Sequence, residues 1–174
     1  MATITLKGKP IHSCGELPRV GDKLPAFKLT KGDLSDVDPA DFPGKVLILN
    51  IVPSLDTGVC AASARAFNTR IKQLGGALVL TISRDLPFAQ KRFCEAEGID
   101  AVIPLSQLRD AKFGRDYGIE LVDGPLTSLL GRAVIVADAS GRIVYTQLVP
   151  EIGQEPDYES ALAAAKAAAA AAGY

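Results

Sequence analysis

Between Lys45 and Val52 the chain runs Lys-Val-Leu-Ile-Leu-Asn-Ile-Val, an apolar, branched stretch too short for a typical helix and typical of a strand buried on both faces. Such a strand needs cover above and below, and the flanking segments have to supply it. After Pro53-Ser54-Leu55-Asp56 the pattern changes. Val59, Ala62, Ala66, Phe67, Ile71 and Leu74 recur at spacings of three and four until Gly75-Gly76 ends the run, which predicts an amphipathic helix. A strand over Ala77 to Ile82 and a helix over Pro87 to Glu97 follow, with Pro87 placed at a helix start and Gly98 at its end. Ala101 to Leu105 reads as a short strand and Asp110 to Tyr117 as a helix. Two strands, Ala133 to Ala137 and Ile143 to Leu148, are joined by the hairpin turn Asp138-Ala139-Ser140-Gly141. A last helix starts near Pro156-Asp157, its alanine-rich end favoured by helix propensity. Upstream, Thr3 to Lys7, Pro10 to Ser13 and Ala26 to Thr30 read as short strands, with a polar Asp-Leu-Ser-Asp step at Asp33 to Asp36. The expected class is α/β: a central mixed sheet flanked by helices, with an N-terminal β-hairpin, in one domain over residues 1–174.

Charge narrows the partners. Nineteen basic and 20 acidic residues are scattered along the chain for a net charge of -1, so there is no electrostatic footprint for nucleic acid or for an anionic membrane surface. The alanine-rich tail from Ala161 to Ala172 is too short and too weakly hydrophobic to span a bilayer. Met1 to Ser13 alternates apolar and polar residues without the apolar core of a signal peptide. The expectation is a soluble, cytoplasmic protein. Its three cysteines, Cys14, Cys60 and Cys94, are too few and too far apart for a disulfide-stapled scaffold, and none forms a Cys-x-x-Cys pair. In a reducing compartment they are free thiols, metal ligands or redox catalysts.

If Asp56 or Thr57 caps the helix after Pro53, Cys60 falls in its first turn, where unpaired amides and the positive end of the macrodipole favour a thiolate. Displacement at a peroxide oxygen puts growing negative charge on the leaving oxygen, so such a site also needs donors aimed at both oxygens. Thr57, three residues before the sulfur, has the hydroxyl for this. A guanidinium must come from elsewhere, and Arg132, following Gly131 at the start of an apolar strand, is preferred over the helix residues Arg65 and Arg70.

The segment Pro53-Ser54-Leu55-Asp56-Thr57-Gly58-Val59-Cys60 resembles the proline, threonine and cysteine signature of peroxiredoxins. The longer run Asn50 to Ser63, with Asp85-Leu86-Pro87-Phe88-Ala89-Gln90 and Arg92-Phe93-Cys94, is similar to the bacterial thiol peroxidase subfamily, an atypical two-cysteine type. Asp123-Gly124-Pro125-Leu126, Arg132-Ala133-Val134 and Glu155-Pro156-Asp157-Tyr158 extend the likeness over nearly the whole chain. The resemblance implies a thioredoxin-like fold and a peroxidatic cysteine at Cys60. It implies Thr57 and Arg132 around the peroxide, and Pro53 shielding the sulfur. It also implies a resolving cysteine at Cys94 that closes a disulfide with Cys60 within one chain. Hydroperoxide substrates, thioredoxin as reductant and a homodimer follow from the same likeness, with no cofactor or metal. A cycle of sulfenic acid, disulfide and thiol exchange then requires helix rearrangement around Cys60 and Cys94.

Plainer readings stand beside these. Cys60 and Cys94 could be packed thiols, and Cys14 carries no motif. His12, Cys14, Cys60 and Cys94 have the ligand types for zinc but only one close pair, His12-x-Cys14. Arg132 could pair with Asp123 or Glu120, Thr57 could be only a cap, and Pro53 only a turn residue. A peroxide sensor, a thioredoxin-like disulfide reductase and a non-catalytic partner-binding domain are the competing functions, the reductase being disfavoured by threonine at the first position of Thr57-x-x-Cys60. The peroxide pocket is expected to draw an apolar lining from Leu55, Leu126 and Leu129.

Overall fold

In the computed structural model, which describes Met1–Tyr174, the apolar run at Val46–Ile51 is a strand buried at every position. We number it β5 in the order β1 (Thr3–Leu6), β2 (Lys9–His12), β3 (Leu29–Thr30), β4 (Asp36–Val37), β5, β6 (Ala77–Ser83), β7 (Val102–Ser106), β8 (Ala133–Ala137) and β9 (Ile143–Leu148). The α-helices are α1 (Gly58–Ile71), α2 (Pro87–Glu97), α3 (Phe113–Asp116) and α4 (Tyr158–Ala171). The main sheet has seven strands in the order β4-β3-β7-β6-β5-β8-β9, while β1 and β2 form a separate hairpin. β5, β6 and β7 run parallel, and β8 lies antiparallel against β5. The mixed sheet and the N-terminal hairpin therefore form as the sequence predicts.

Alternation along the strands divides the core in two. Leu47, Leu49 and Ile51 of β5, with Leu80, Ile82 and Ile135, pack under Phe27, Phe113, Tyr117 and Leu130. Val46, Ile48, Val79, Val134 and Val136 face the other way, beneath α1 and α4, and Phe93 and Cys94 of α2 pack against the rim of this second cluster. A small third cluster of Ile4, Ile11, Leu121 and Ile152 docks the hairpin. No helix is long and apolar enough to cross a membrane.

Three local expectations need correcting, at Ala26 to Thr30, at Asp110 to Tyr117 and along the buried face of α1. Only Leu29–Thr30 of the stretch from Ala26 to Thr30 is a strand, because Pro25 has no N–H and the Lys28 N–H donates to the Asp110 carboxylate at 2.9 Å. The polar step at Asp33 to Asp36 turns at Leu34, whose φ is +70°, and then enters β4. Asp110 to Tyr117 yields a single helical turn, since Asp110 is engaged with Lys28 and Gly118 reverses the chain at φ +70°. Along α1 the buried stripe runs through Cys60, Ser63, Ala64, Phe67, Asn68 and Ile71, rotated from the one read off apolar spacing. Asn68 accounts for part of the rotation: its Oδ1 accepts from the N–H groups of Asp100 and Ala101, so a polar side chain satisfies the backbone ahead of β7 from inside.

Candidate active site

The turn after β5 delivers Pro53, which is buried, and then Thr57 as the N-cap of α1. Thr57 has the extended backbone of a cap, and its Oγ1 accepts from the Cys60 N–H at 3.4 Å. The Thr57 hydroxyl in turn donates to the Ser54 carbonyl at 3.2 Å. Cys60 thus occupies the third position of the helix, with its sulfur fully buried at 0% exposure.

Arg132 comes to this sulfur from the other side of the sheet order, at the mouth of β8. It is 2% exposed; Nε donates to the Ile152 carbonyl at 2.9 Å and Nη1 lies 3.2 Å from Cys60 Sγ. None of the molecule's seven ion pairs includes Arg132. Asp123 pairs instead with His12, and Glu120 with Arg84 and Arg115. A buried guanidinium without a carboxylate is costly unless an anion faces it, and the only candidate in contact is the Cys60 sulfur. The two arginines passed over in the sequence are engaged elsewhere, Arg65 with Glu97 and Arg70 with Glu159.

Cys94 is set apart from this group. It lies on α2, half-buried, at the edge of the apolar cluster that contains Cys60, and all three cysteines are free thiols. Burial, with a smaller contribution from the neighbouring Glu95, pushes the Cys94 thiol up to about 11. It lines a shallow groove of about 370 Å³ with Lys31, Lys91, Ile99 and Pro104, and neither Cys60, Thr57 nor Arg132 reaches that groove. The alternative zinc set is not gathered: His12 Nδ1 sits 2.6 Å from Asp123, Cys14 donates to the Gly114 carbonyl at 3.6 Å, and the other two cysteines are in the places just described. Of the leucines expected to line the pocket, Leu55 is in the Cys60 cluster, whereas Leu126 packs against the hairpin.

Sequence reasoning passed over Asp85 as a functional residue. Its carboxylate accepts from the Ser54 hydroxyl and from the Leu55 N–H, both at 2.8 Å, and so grips the turn that enters α1. The one sign in the sequence was its place at the head of Asp85-Leu86-Pro87-Phe88-Ala89-Gln90, a segment of the family likeness to which no role was attached.

The chain matches the Redoxin family model over residues 19–162. It is 56% identical over 164 residues to a thiol peroxidase of Mycobacterium tuberculosis, covering 94% of this chain and 98% of that protein. A thiol peroxidase of Corynebacterium glutamicum is 52% identical, with coverage of 94% and 99%. Among solved structures, a peroxiredoxin-like protein from Aquifex aeolicus superposes with a TM-score of 0.91 at 37% identity, over 97% of this chain and 98% of that one. A cysteine at a helix N-terminus, faced by a buried arginine and capped by a threonine, accords with these likenesses, and the chain belongs to the Redoxin family, among the thiol peroxidases of the peroxiredoxin type.

Proposed function

We propose that the chain reduces hydrogen peroxide and organic hydroperoxides in a thiol cycle begun by Cys60. The observation that carries this reading is the buried Arg132 guanidinium, which has no carboxylate partner and holds Nη1 3.2 Å from Cys60 Sγ. The thiolate attacks the terminal oxygen, an S–O bond forms as the O–O bond breaks, Cys60 becomes a sulfenic acid, and the alkoxide or hydroxide takes up from solvent the proton that the thiol had released and leaves as alcohol or water. Thr57, whose hydroxyl can turn from the Ser54 carbonyl to the peroxide, and Arg132 hold the two oxygens; Pro53 shields the sulfur from bulk water.

Cys94 then condenses with the Cys60 sulfenic acid, releasing water and forming an intramolecular disulfide. A disulfide needs α-carbons within about 7 Å, and of the two helices that carry the cysteines α2 is the weaker and the one that opens. Its N-cap, Leu86, makes no side-chain bond, and only Pro87 and Gln90 of its eleven residues are buried. α1 is capped by Thr57 and buries six. Opening α2 exposes Cys94, removes the burial that holds it as a neutral thiol, and releases a nucleophile when one is required. A dithiol reductant, thioredoxin by family likeness, returns both cysteines to thiols. The whole chain acts as one domain, as a cytoplasmic homodimer. Support for association comes from Leu86, Phe88 and Leu108, large apolar side chains exposed at the entrance to α2 and after β7.

Stopped-flow consumption of hydrogen peroxide and cumene hydroperoxide by the reduced protein, Cys60→Ser and Cys94→Ser tests this, with mass analysis of unreduced products. Fast consumption lost in Cys60→Ser, a sulfenic acid trapped in Cys94→Ser and an intramolecular disulfide in the parent are expected. Consumption unaffected by Cys60→Ser overturns the proposal.

A further inference from the structure

Asp85 lies between the end of β6 and the start of α2, and its bonds reach the turn that enters α1 and the ends of β6 and β7. Oδ1 accepts from the Ser54 hydroxyl at 2.8 Å; Oδ2 accepts from the Leu55 N–H at 2.8 Å and from the Ser83 hydroxyl at 2.7 Å. The Asp85 carbonyl accepts from the Ser106 hydroxyl at 2.6 Å. Ser83 Oγ also accepts from Nε2 of Gln90, a fully buried side chain one turn before Cys94. No lysine, arginine or histidine pairs with Asp85. Its carboxylate is therefore spent on neutral donors and ties the end of β6 to the turn entering α1, while the backbone carbonyl of Asp85 holds the end of β7 and Ser83 passes the contact on to Gln90 of α2.

The tie bears on the reacting sulfur through one short path. Asp85 fixes Ser54 and Leu55; the Ser54 carbonyl accepts the Thr57 hydroxyl; Thr57 Oγ1 accepts the Cys60 N–H. We propose that Asp85 is a positioning residue for peroxide reduction, holding the Ser54-Leu55 turn so that Thr57 and the Cys60 sulfur meet the peroxide in register. This rests on the reading of Cys60 as the peroxide-reactive thiol. Without the carboxylate the Leu55 N–H loses its acceptor and the turn relaxes, and a drift near 1 Å in reacting groups lowers a rate by up to about a hundredfold.

Three variants of the full chain, Asp85→Ala, Asp85→Asn and Ser54→Ala, are compared with the parent and Cys60→Ser by two single-turnover measurements on reduced protein: the second-order rate with hydrogen peroxide, and the rate of Cys60 alkylation by iodoacetamide, which needs the thiolate but not the alignment of two oxygens. Asp85→Ala is expected to lose roughly 30- to 100-fold with peroxide and less than about threefold with iodoacetamide. Asp85→Asn keeps an acceptor for Leu55 and should recover at least about tenfold of that loss. Ser54→Ala, which removes the Oδ1 arm together with the acceptor of the Asp56 N–H, is expected to lose roughly three- to tenfold and, read beside Asp85→Asn, decides the matter if Asp85→Ala does not fold. A folded Asp85→Ala within threefold of the parent with peroxide overturns the proposal, as does an equal fall in both rates. A parent whose peroxide rate equals that of Cys60→Ser instead overturns the reading of Cys60 itself.

Discussion

The pairing of Arg132 with Cys60 makes a prediction about stability that separates it from mere proximity. At 3.2 Å and an effective permittivity near 20, a thiolate and a guanidinium attract by about 5 kcal/mol before desolvation is subtracted. Removing one member of a buried pair leaves the other charge uncompensated at a cost of about 3–5 kcal/mol, whereas replacing both by apolar or neutral groups of similar size is often neutral or stabilising. Cys60→Ser keeps a polar atom beside the guanidinium, so its cost should sit near the lower bound, about 3 kcal/mol. Arg132→Met should destabilise the parent, yet in the Cys60→Ser background it should restore at least about 1 kcal/mol, because the orphaned cation is gone. The assay is a double-mutant cycle by urea denaturation under reducing conditions at pH 8, on parent, Cys60→Ser, Arg132→Met and the double variant. Peroxide consumption in Arg132→Met should fall by roughly 100- to 1000-fold, the effect of losing one donor to developing oxyanion charge. If Arg132→Met changes stability by the same amount in both backgrounds, the sulfur is not the counter-ion and the electrostatic account of the site fails.

Other outcomes follow from single features of the structure. Cys94, held near 11, should react with iodoacetamide at pH 8 about a hundredfold more slowly than an unperturbed thiol, the same residue in the urea-unfolded chain being its reference. Because this thiol is raised in the folded state, its contribution to stability is complete below its ordinary value and is lost as the pH climbs toward 11; the parent's unfolding free energy should fall more steeply than that of Cys94→Ser between pH 9 and 11, and parallel curves would refute the assignment. Thr57→Val removes the cap of α1 and should cost about 1 kcal/mol as well as most of the peroxide rate, while Thr57→Ser retains both; equal rates for the two variants would leave Thr57 a cap only. At Gly118, φ is +70° and an added Cβ would lie 2.0 Å from the Glu16 carbonyl oxygen. Gly118→Ala should therefore cost about 3 kcal/mol, against about 1 kcal/mol for Gly141→Ala, where φ is +83° but nothing lies within 4 Å; urea midpoints that do not separate them would refute the steric argument.

The elements that govern themselves locally were legible in the sequence. The buried run at β5, the Pro87 start and Gly98 stop of α2, and the turn between β8 and β9 all use signals held within a few residues. Cys60 at a helix start was legible for the same reason, since a cap and the residue three places on share one turn. What the sequence could not decide depends on chain segments meeting through the fold. The choice of Arg132 over Arg65 and Arg70 was an inference from strand context, and it took the pairing of β8 with β5 to place that guanidinium on the Cys60 sulfur. The carboxylate of Asp85 lies thirty residues from the turn it grips, brought there by the parallel register of β5 and β6. The shortened α3 and the rotated face of α1 came from polar side chains satisfying distant backbone groups, Asp110 for Lys28 and Asn68 for Ala101. Local hydrogen bonding and periodicity are written in neighbouring residues, whereas the partner of a buried polar group is fixed only when the strands pair, because burial is what makes an unmet donor or acceptor expensive.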